Sequence, residues 1–91
     1  MRFVISYDIV DDRRRERVAR ALDDYGDRVQ HSVFEAELDQ RHLTLLVERL
    51  KREVNTDQDS IVIYPLCATC VEKALRLGRN TGLDTRRAIV V

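Results

Sequence analysis

Residues 2–8 read Arg-Phe-Val-Ile-Ser-Tyr-Asp, and the whole fold can be worked out from this first apolar run. The side chains alternate with the two-residue period of a β-strand, so Phe3, Ile5 and Tyr7 share one face. Asp8 lies on the other face at the C-terminal end of the strand. The run therefore predicts a first strand that ends in a carboxylate held by a rigid backbone.

A basic helix is expected directly after this strand. Asp11 or Asp12 can cap it, its apolar stripe reaches about Tyr25, and Gly26 ends it. Four arginines lie on its first two turns: Arg13, Arg14, Arg15 and Arg17. A carboxylate beside guanidinium groups suits a metal-dependent reaction on a phosphate backbone, but one carboxylate is too few to hold the metal.

The middle of the chain predicts extended segments around a second helix. Residues 28–38 are rich in β-branched and aromatic side chains, and are either one bent strand or a tight pair of strands. Apolar residues keep helical spacing from about Gln40 to Val54. Ile61 to Tyr64 is a short strand of the buried type, closed by Pro65.

The last part of the chain predicts a short helix and a final strand. The helix runs from Cys70 to Leu77 and ends at Gly78, and the strand covers Ala88 to Val91. Because an apolar edge strand is a liability unless it pairs, we expect this strand to join the sheet of a partner subunit.

The element order predicts an α+β fold, a ferredoxin-like sandwich in which two helices cover one face of an antiparallel sheet. Residues 1–91 would form this single domain, since so short a chain has room for one core. Val4 and Val62 fall on the uncovered face, which predicts a sheet-to-sheet homodimer.

Composition narrows the function classes. The net charge is zero, yet fourteen of the sixteen basic residues are Arg, the side chain better suited to forked phosphate contacts. The first apolar run is short and contains Asp8, so it is neither a secretory signal nor a membrane span. We therefore expect a cytoplasmic protein that does not bind membranes.

Cys67 and Cys70 form one C-x-x-C motif. The motif supplies half of a four-ligand zinc site, and His31 and His42 lie far away in the sequence without ligand spacing. Packing cysteines at the start of a helix are the favoured interpretation.

Each candidate site residue also has a structural interpretation. Asp8 could cap the following helix, although Asp11 and Asp12 fit that position better. The arginines of residues 13–17 could form a solvated helix face, and Phe34 could belong to the core.

Five motifs together resemble the Cas2 family of small CRISPR-associated proteins, which work in spacer acquisition. The motifs are Tyr7-Asp8-Ile9, the arginines from Arg13 to Arg17, Arg28-Val29-Gln30, Ser32-Val33-Phe34-Glu35 and Ile63-Tyr64-Pro65-Leu66. Their order and spacing agree over nearly the whole chain.

The resemblance implies a homodimer of ferredoxin-like subunits whose last strand joins the partner's sheet. Asp8 matches the family's catalytic acid, which binds Mg²⁺ or Mn²⁺ where two subunits meet. His31 departs from a Tyr common at that position. Arg15, Arg17, Arg28 and Phe34 match positions that matter for nuclease activity in some members of the family. We predict nucleic-acid binding by Arg13, Arg14, Arg15, Arg17 and Arg28, and supporting roles for Tyr7, Ser32 and Phe34.

Three functions are compatible with these observations. The first is a Mg²⁺-dependent endonuclease that hydrolyses phosphodiester bonds in RNA or DNA, with two symmetry-related copies of Asp8 sharing the ion. The second is a non-catalytic adaptor that binds DNA and bridges integrase subunits. The third is a ligand-binding regulator, which would need an apolar pocket that so short a chain has little room for.

Overall fold

The computed structural model describes residues 1–78, which form four strands and three helices. In chain order they are β1 (Arg2–Asp8), α1 (Asp12–Asp23), β2 (Asp27–Gln30), β3 (Val33–Glu37), α2 (Gln40–Glu53), β4 (Ser60–Leu66) and α3 (Ala68–Lys73). The strand predicted at Ala88–Val91 lies outside the described residues. The single domain over 1–91 accordingly stays a prediction.

The four strands form one antiparallel sheet in the order β2-β3-β1-β4. β1 is central, and its Ile5 lies opposite Phe34 on β3 and Ile63 on β4. This order, with α1 and α2 inserted between the strands, confirms the predicted α+β ferredoxin-like sandwich. The open question about residues 28–38 is also answered, because they form a pair of strands, β2 and β3, with an irregular register near Arg28 and Gln30.

The core lies between the sheet and the first two helices. Its fully enclosed side chains come from both layers: Ile5, Phe34, Val18, Leu22 and Leu46. Both helices begin where the periodicity placed them, each with an aspartate cap: the Asp11 side chain accepts from the Arg14 N–H, and the Asp39 side chain from the His42 N–H. Asp8 is therefore not needed as the cap of α1.

Gly26 follows the last turn of α1, where its N–H donates to the Leu22 carbonyl oxygen at 2.9 Å, and it also makes room for the sheet. A Cβ atom at this position would lie 2.2 Å from the backbone oxygen of Glu35 and 2.8 Å from the Cβ of Ala36. Only glycine lets the turn before β2 approach β3 so closely.

The predicted end of β4 and both predicted ends of the last helix were wrong. β4 does not close at Pro65 but runs through it to Leu66, because β4 is an edge strand, where a missing N–H can be tolerated. The last helix begins at Ala68 rather than Cys70 and ends at Lys73 rather than Leu77, since the backbone of Ala74 is already extended (φ −62°, ψ 135°).

The sheet face opposite α1 and α2 carries a mixed surface. Val62 and Tyr64 of β4 are 43% and 53% exposed there, next to the half-buried Val4. Beyond α3, Arg76 reaches the same face and holds Glu35 through two hydrogen bonds of 2.7 and 2.8 Å. We call this pair the Arg76–Glu35 clasp; it accounts for the burial of Glu35, which is only 6% exposed.

Within residues 1–78, every helix is too short or too polar to cross a membrane.

Candidate metal and nucleic-acid site

Asp8 is the last residue of β1 and projects from the sheet face that α1 and α2 leave uncovered. It lies opposite Ser60 of β4, and its side chain is exposed. Within the described part of the chain its carboxylate takes part in no hydrogen bond or ion pair. An exposed carboxylate without a protein partner is free to bind a cation, and its hard oxygens suit Mg²⁺ or Mn²⁺.

A carboxylate enclosed by the protein, Asp59, joins the backbone just after this acid to the loop before β4. It accepts a hydrogen bond from the backbone N–H of Val10 (3.4 Å) and another from that of Asn55 (3.0 Å). Arg14 adds a forked pair, with Nε 2.8 Å and Nη2 3.2 Å from the two Asp59 oxygens. The side chain of Asp59 is fully enclosed, and hydrogen bonding by Arg14 lowers its pKa to about 2.

Arg14 therefore has a structural role in the chain, although it was predicted to bind nucleic acid. Its Nη2 also donates to the Gln58 side chain at 3.1 Å. The sequence could not reveal this contact, because Arg14 and Asp59 are separated by 45 positions.

A shallow pocket of about 310 Å³ collects several of the other predicted residues on the opposite side of the sheet from Asp8. Its lining residues come from β1, α1 and the β2 region: Tyr7, Asp12, Arg15, Glu16, Ala19, Arg28 and His31. We call it the arginine pocket. The sequence analysis noted His31 as a departure from Tyr and as a histidine without zinc-ligand spacing, and did not place it beside Arg15 and Arg28.

The arginines of α1 differ in how firmly they are held. Arg15 donates to the backbone oxygen of Ile9 at 3.0 Å and pairs with Asp12 one turn away. Arg17 pairs with Glu53 of α2 at 2.7 Å. Arg13 is exposed and has no side-chain partner within residues 1–78.

Arg28 is held by an aromatic ring rather than by an acid. Its guanidinium carbon lies 5.1 Å from the ring centroid of Phe34, which is itself fully buried. The Phe34 ring is thus unavailable for stacking on a base, and it supports Arg28 through a cation–π contact. The ring of Tyr7 lies 6.2 Å from it on the same side of the sheet.

The remaining predicted residue, Ser32, contributes its backbone. Its carbonyl oxygen accepts from the Tyr7 N–H at 3.1 Å, and the neighbouring His31 carbonyl accepts from the Tyr7 hydroxyl at 3.4 Å. These two contacts tie the β2–β3 turn to the end of β1.

The structure thus brings Tyr7, Arg15 and Arg28 together but leaves Asp8 on the other face. Within residues 1–78, no group of three or more His, Cys, Asp or Glu side chains could hold a metal ion. A complete metal site that includes Asp8 would need ligands from a second subunit, from solvent or from the substrate.

Comparisons with known proteins identify the family of this chain. Residues 1–74 match the model of the family described as CRISPR associated protein Cas2. A CRISPR-associated endoribonuclease Cas2 of Rhodospirillum rubrum is 51% identical over 77 residues, which cover 85% of this chain but only 62% of that relative. A second one, from Chloroflexus aurantiacus, is 37% identical across 100% of this chain and 99% of its own length.

The fold has a match of the same kind. The crystal structure of Streptococcus pyogenes Cas2 superimposes with a TM-score of 0.76 at 30% identity, covering 86% of this chain and 100% of that one.

Proposed function

The chain belongs to the CRISPR-associated Cas2 family, and we propose that it is a homodimeric, metal-dependent endonuclease-like protein of CRISPR spacer acquisition. The names of its relatives in Rhodospirillum and Chloroflexus, both endoribonucleases, support a nuclease. The observation that carries the proposal is the exposed carboxylate of Asp8 at the end of β1, which has no partner among residues 1–78. The cytoplasm, where the nucleic acids of the cell lie, is the proposed location.

The Asp8 carboxylate would supply one ligand of a Mg²⁺ or Mn²⁺ ion, and the partner's Asp8 would supply a second. When bound, such a cation neutralises negative charge that develops on a phosphodiester and lowers the barrier to its hydrolysis. The Asp8 side chain is held outward, since β1 and the contact of Asp59 with Val10 fix the backbone around it.

The arginine pocket would bind the nucleic-acid backbone. Arg28 is exposed and has no acidic partner among residues 1–78, so a phosphate would not have to displace any of their carboxylates from it. Arg15 would have to give up part of its contact with Asp12. The pocket therefore positions the strand, and the acid on the other face acts where two subunits meet.

The replacement of Asp8 by Asn tests the nuclease. We expect Asp8→Asn to lose cleavage of both RNA and DNA in Mg²⁺ by at least about a hundredfold, because an amide is a far weaker ligand for a hard cation. The matched control is Asp23→Asn, an exposed acid on α1, which should cleave like the parent protein. Circular dichroism and sedimentation check that both variants fold and dimerise. Full cleavage by Asp8→Asn would exclude a catalytic role for the Asp8 carboxylate.

A second function is favoured by the separation of the arginine pocket from Asp8. A non-catalytic adaptor that binds DNA and bridges integrase subunits needs the pocket but not the acid. In that case Asp8→Asn keeps DNA affinity and supports spacer integration by the integrase subunits. Its binding should fall steeply with salt and depend little on sequence, as contacts to phosphates do.

A further inference from the structure

The C-x-x-C motif lies on the surface rather than in the core. Both Cys67 and Cys70 are exposed, so within residues 1–78 the expected packing role does not hold. Neither thiol belongs to the Asp8 region or to the arginine pocket. Two exposed thiols in one short segment need an account of their own.

The backbone brings the two sulfurs together. Cys67 precedes α3 with an extended backbone (φ −70°, ψ 164°), and its carbonyl oxygen accepts the first helical hydrogen bond, from the Val71 N–H at 3.0 Å. Cys70 therefore lies one turn further on the same side. Side chains at this spacing have Cβ atoms about 5–6 Å apart, close enough for a disulfide after a small adjustment.

The two thiols are chemically unequal. The backbone N–H of Cys70, and then its thiol, favour the Cys67 thiolate and lower the pKa of Cys67, although Cys67 makes no regular capping hydrogen bond. The same contact with Cys67 raises the pKa of Cys70. In such a pair, the thiol with the lower pKa attacks an external disulfide first, and the other thiol then attacks the mixed disulfide.

The motif is poorly suited to binding a zinc ion. A structural zinc ion needs four donors, and the described residues bring no third His, Cys, Asp or Glu side chain to the pair. Two thiols without further donors match the requirements of thiol–disulfide exchange instead.

We propose that Cys67 and Cys70 are a redox-active dithiol that forms a reversible intrachain disulfide by exchange with an external disulfide. The Cys67 thiolate attacks one sulfur of that disulfide, forms a mixed disulfide and releases the other half as a thiolate. The Cys70 thiolate then attacks the Cys67 sulfur and expels the second half. The protein loses two thiol protons and two electrons, and the external disulfide is reduced to two thiols.

The position of the pair connects it to the rest of the chain. The pair lies in the segment between β4 and the Arg76–Glu35 clasp. Through this segment the chain crosses the uncovered sheet face. A disulfide would close the first turn of α3 and so fix the start of that crossing.

The test uses the full chain and oxidised glutathione as the probe. We expect the parent protein to lose both free thiols without gaining a glutathione, as seen by mass spectrometry after alkylation, and dithiothreitol to restore them. A lasting glutathione adduct, disulfide-linked chains on a non-reducing gel, or stoichiometric zinc in the purified protein would each overturn the proposal.

Single-cysteine variants test the order of attack. Cys70→Ser should trap glutathione on Cys67, because no second thiol can expel it. In the parent protein, Cys67 should react with iodoacetamide about tenfold faster than Cys70 near neutral pH, since more of it is thiolate. Equal alkylation rates, or a Cys70→Ser variant that takes up no glutathione, would contradict the assigned roles; the measurement on the parent protein does not depend on any variant folding.

Discussion

The buried ring of Phe34 supports the charged side chain of Arg28 on the surface. The Arg28 guanidinium lies over Phe34, which is fully buried beneath it. A change at Phe34 therefore alters both the packing of the sheet and the support of a predicted phosphate-binding group. Loss of nuclease activity on mutation of this ring would not require that it touch nucleic acid.

Replacing Phe34 should show in stability first. We expect Phe34→Ala to lower the free energy of unfolding by about 3–5 kcal/mol, because it leaves a cavity in a closely packed core. Urea denaturation at fixed protein concentration measures the change. Phe34→Leu, which keeps most of the volume, should lose much less stability while still removing the ring under Arg28. An unchanged unfolding midpoint for Phe34→Ala would mean that the ring is not part of the core.

Arg28 should contribute to binding and hardly to folding. We expect Arg28→Gln to weaken affinity for single-stranded RNA or DNA and to reduce the slope of log K against log salt by about 0.7–0.9 for each phosphate that the variant no longer neutralises. Arg41→Gln, an exposed arginine of α2 that does not line the arginine pocket, is the control. Fluorescence anisotropy across a salt series measures both, and an equal effect of the two changes would argue against a specific role for the pocket.

At this scale the sequence could reveal some site residues and not others. The position of Asp8 could be predicted from the sequence, because strand alternation alone sets the face on which its side chain lies. The contact of Arg14 with Asp59 could not be predicted, since a charged side chain on a helix looks the same in sequence whether it meets solvent or a distant acid. The buried ring beneath Arg28 likewise required the sheet register.

The loop before β4 depends on one carboxylate. Asp59 joins Arg14 of α1, Val10 after β1 and Asn55 after α2, so three elements meet at a single side chain. We expect Asp59→Asn to loosen the end of β1 and to lower the unfolding midpoint at pH 7, because Asn cannot form the same charged, forked pair with Arg14.

The same residue predicts a pH dependence. Its pKa falls from an ordinary 3.8 to about 2 in the folded chain, so its stabilising effect is complete above about pH 4 and is lost as the pH falls towards 2. Thermal unfolding from pH 5 to pH 2 should show a smaller decline for Asp59→Asn than for the parent protein. Parallel curves for the two proteins would show that Asp59 ionises normally.

Elements with strong apolar periodicity could be predicted well. Boundaries without typical turn residues could not. The apolar spacing of α2 and the aspartates before α1 indicated starting points close to those observed. The turn at His31 and Ser32 lacks Gly, Pro and Asn, so nothing in the sequence separated β2 from β3. The path after α3 depends on the contact of Arg76 with Glu35, 41 positions away.

For the molecule as a whole, the uncovered sheet face should determine the oligomeric state. We expect Val62→Glu to raise the dissociation constant of the proposed homodimer more than tenfold, because it buries a charge in an apolar contact. Leu45→Glu is a matched control: Leu45 on α2 is 47% exposed and Val62 is 43% exposed, but they lie on opposite sides of the sheet. Sedimentation equilibrium at micromolar concentration measures both variants, and a monomeric parent protein would contradict the dimer.

Pro65 has a consequence for the solubility of the chain. The edge strand β4 contains Ile61-Val62-Ile63-Tyr64, an uncharged, β-prone run of the kind that nucleates aggregation when it is exposed. Proline interrupts the row of backbone donors directly after this run, and the charged Asp59 flanks its other side. Such gatekeepers oppose the stacking of many copies of an edge strand into fibrils. We therefore expect Pro65, which lies within β4 rather than closing it, to protect the newly made chain from amyloid-like growth.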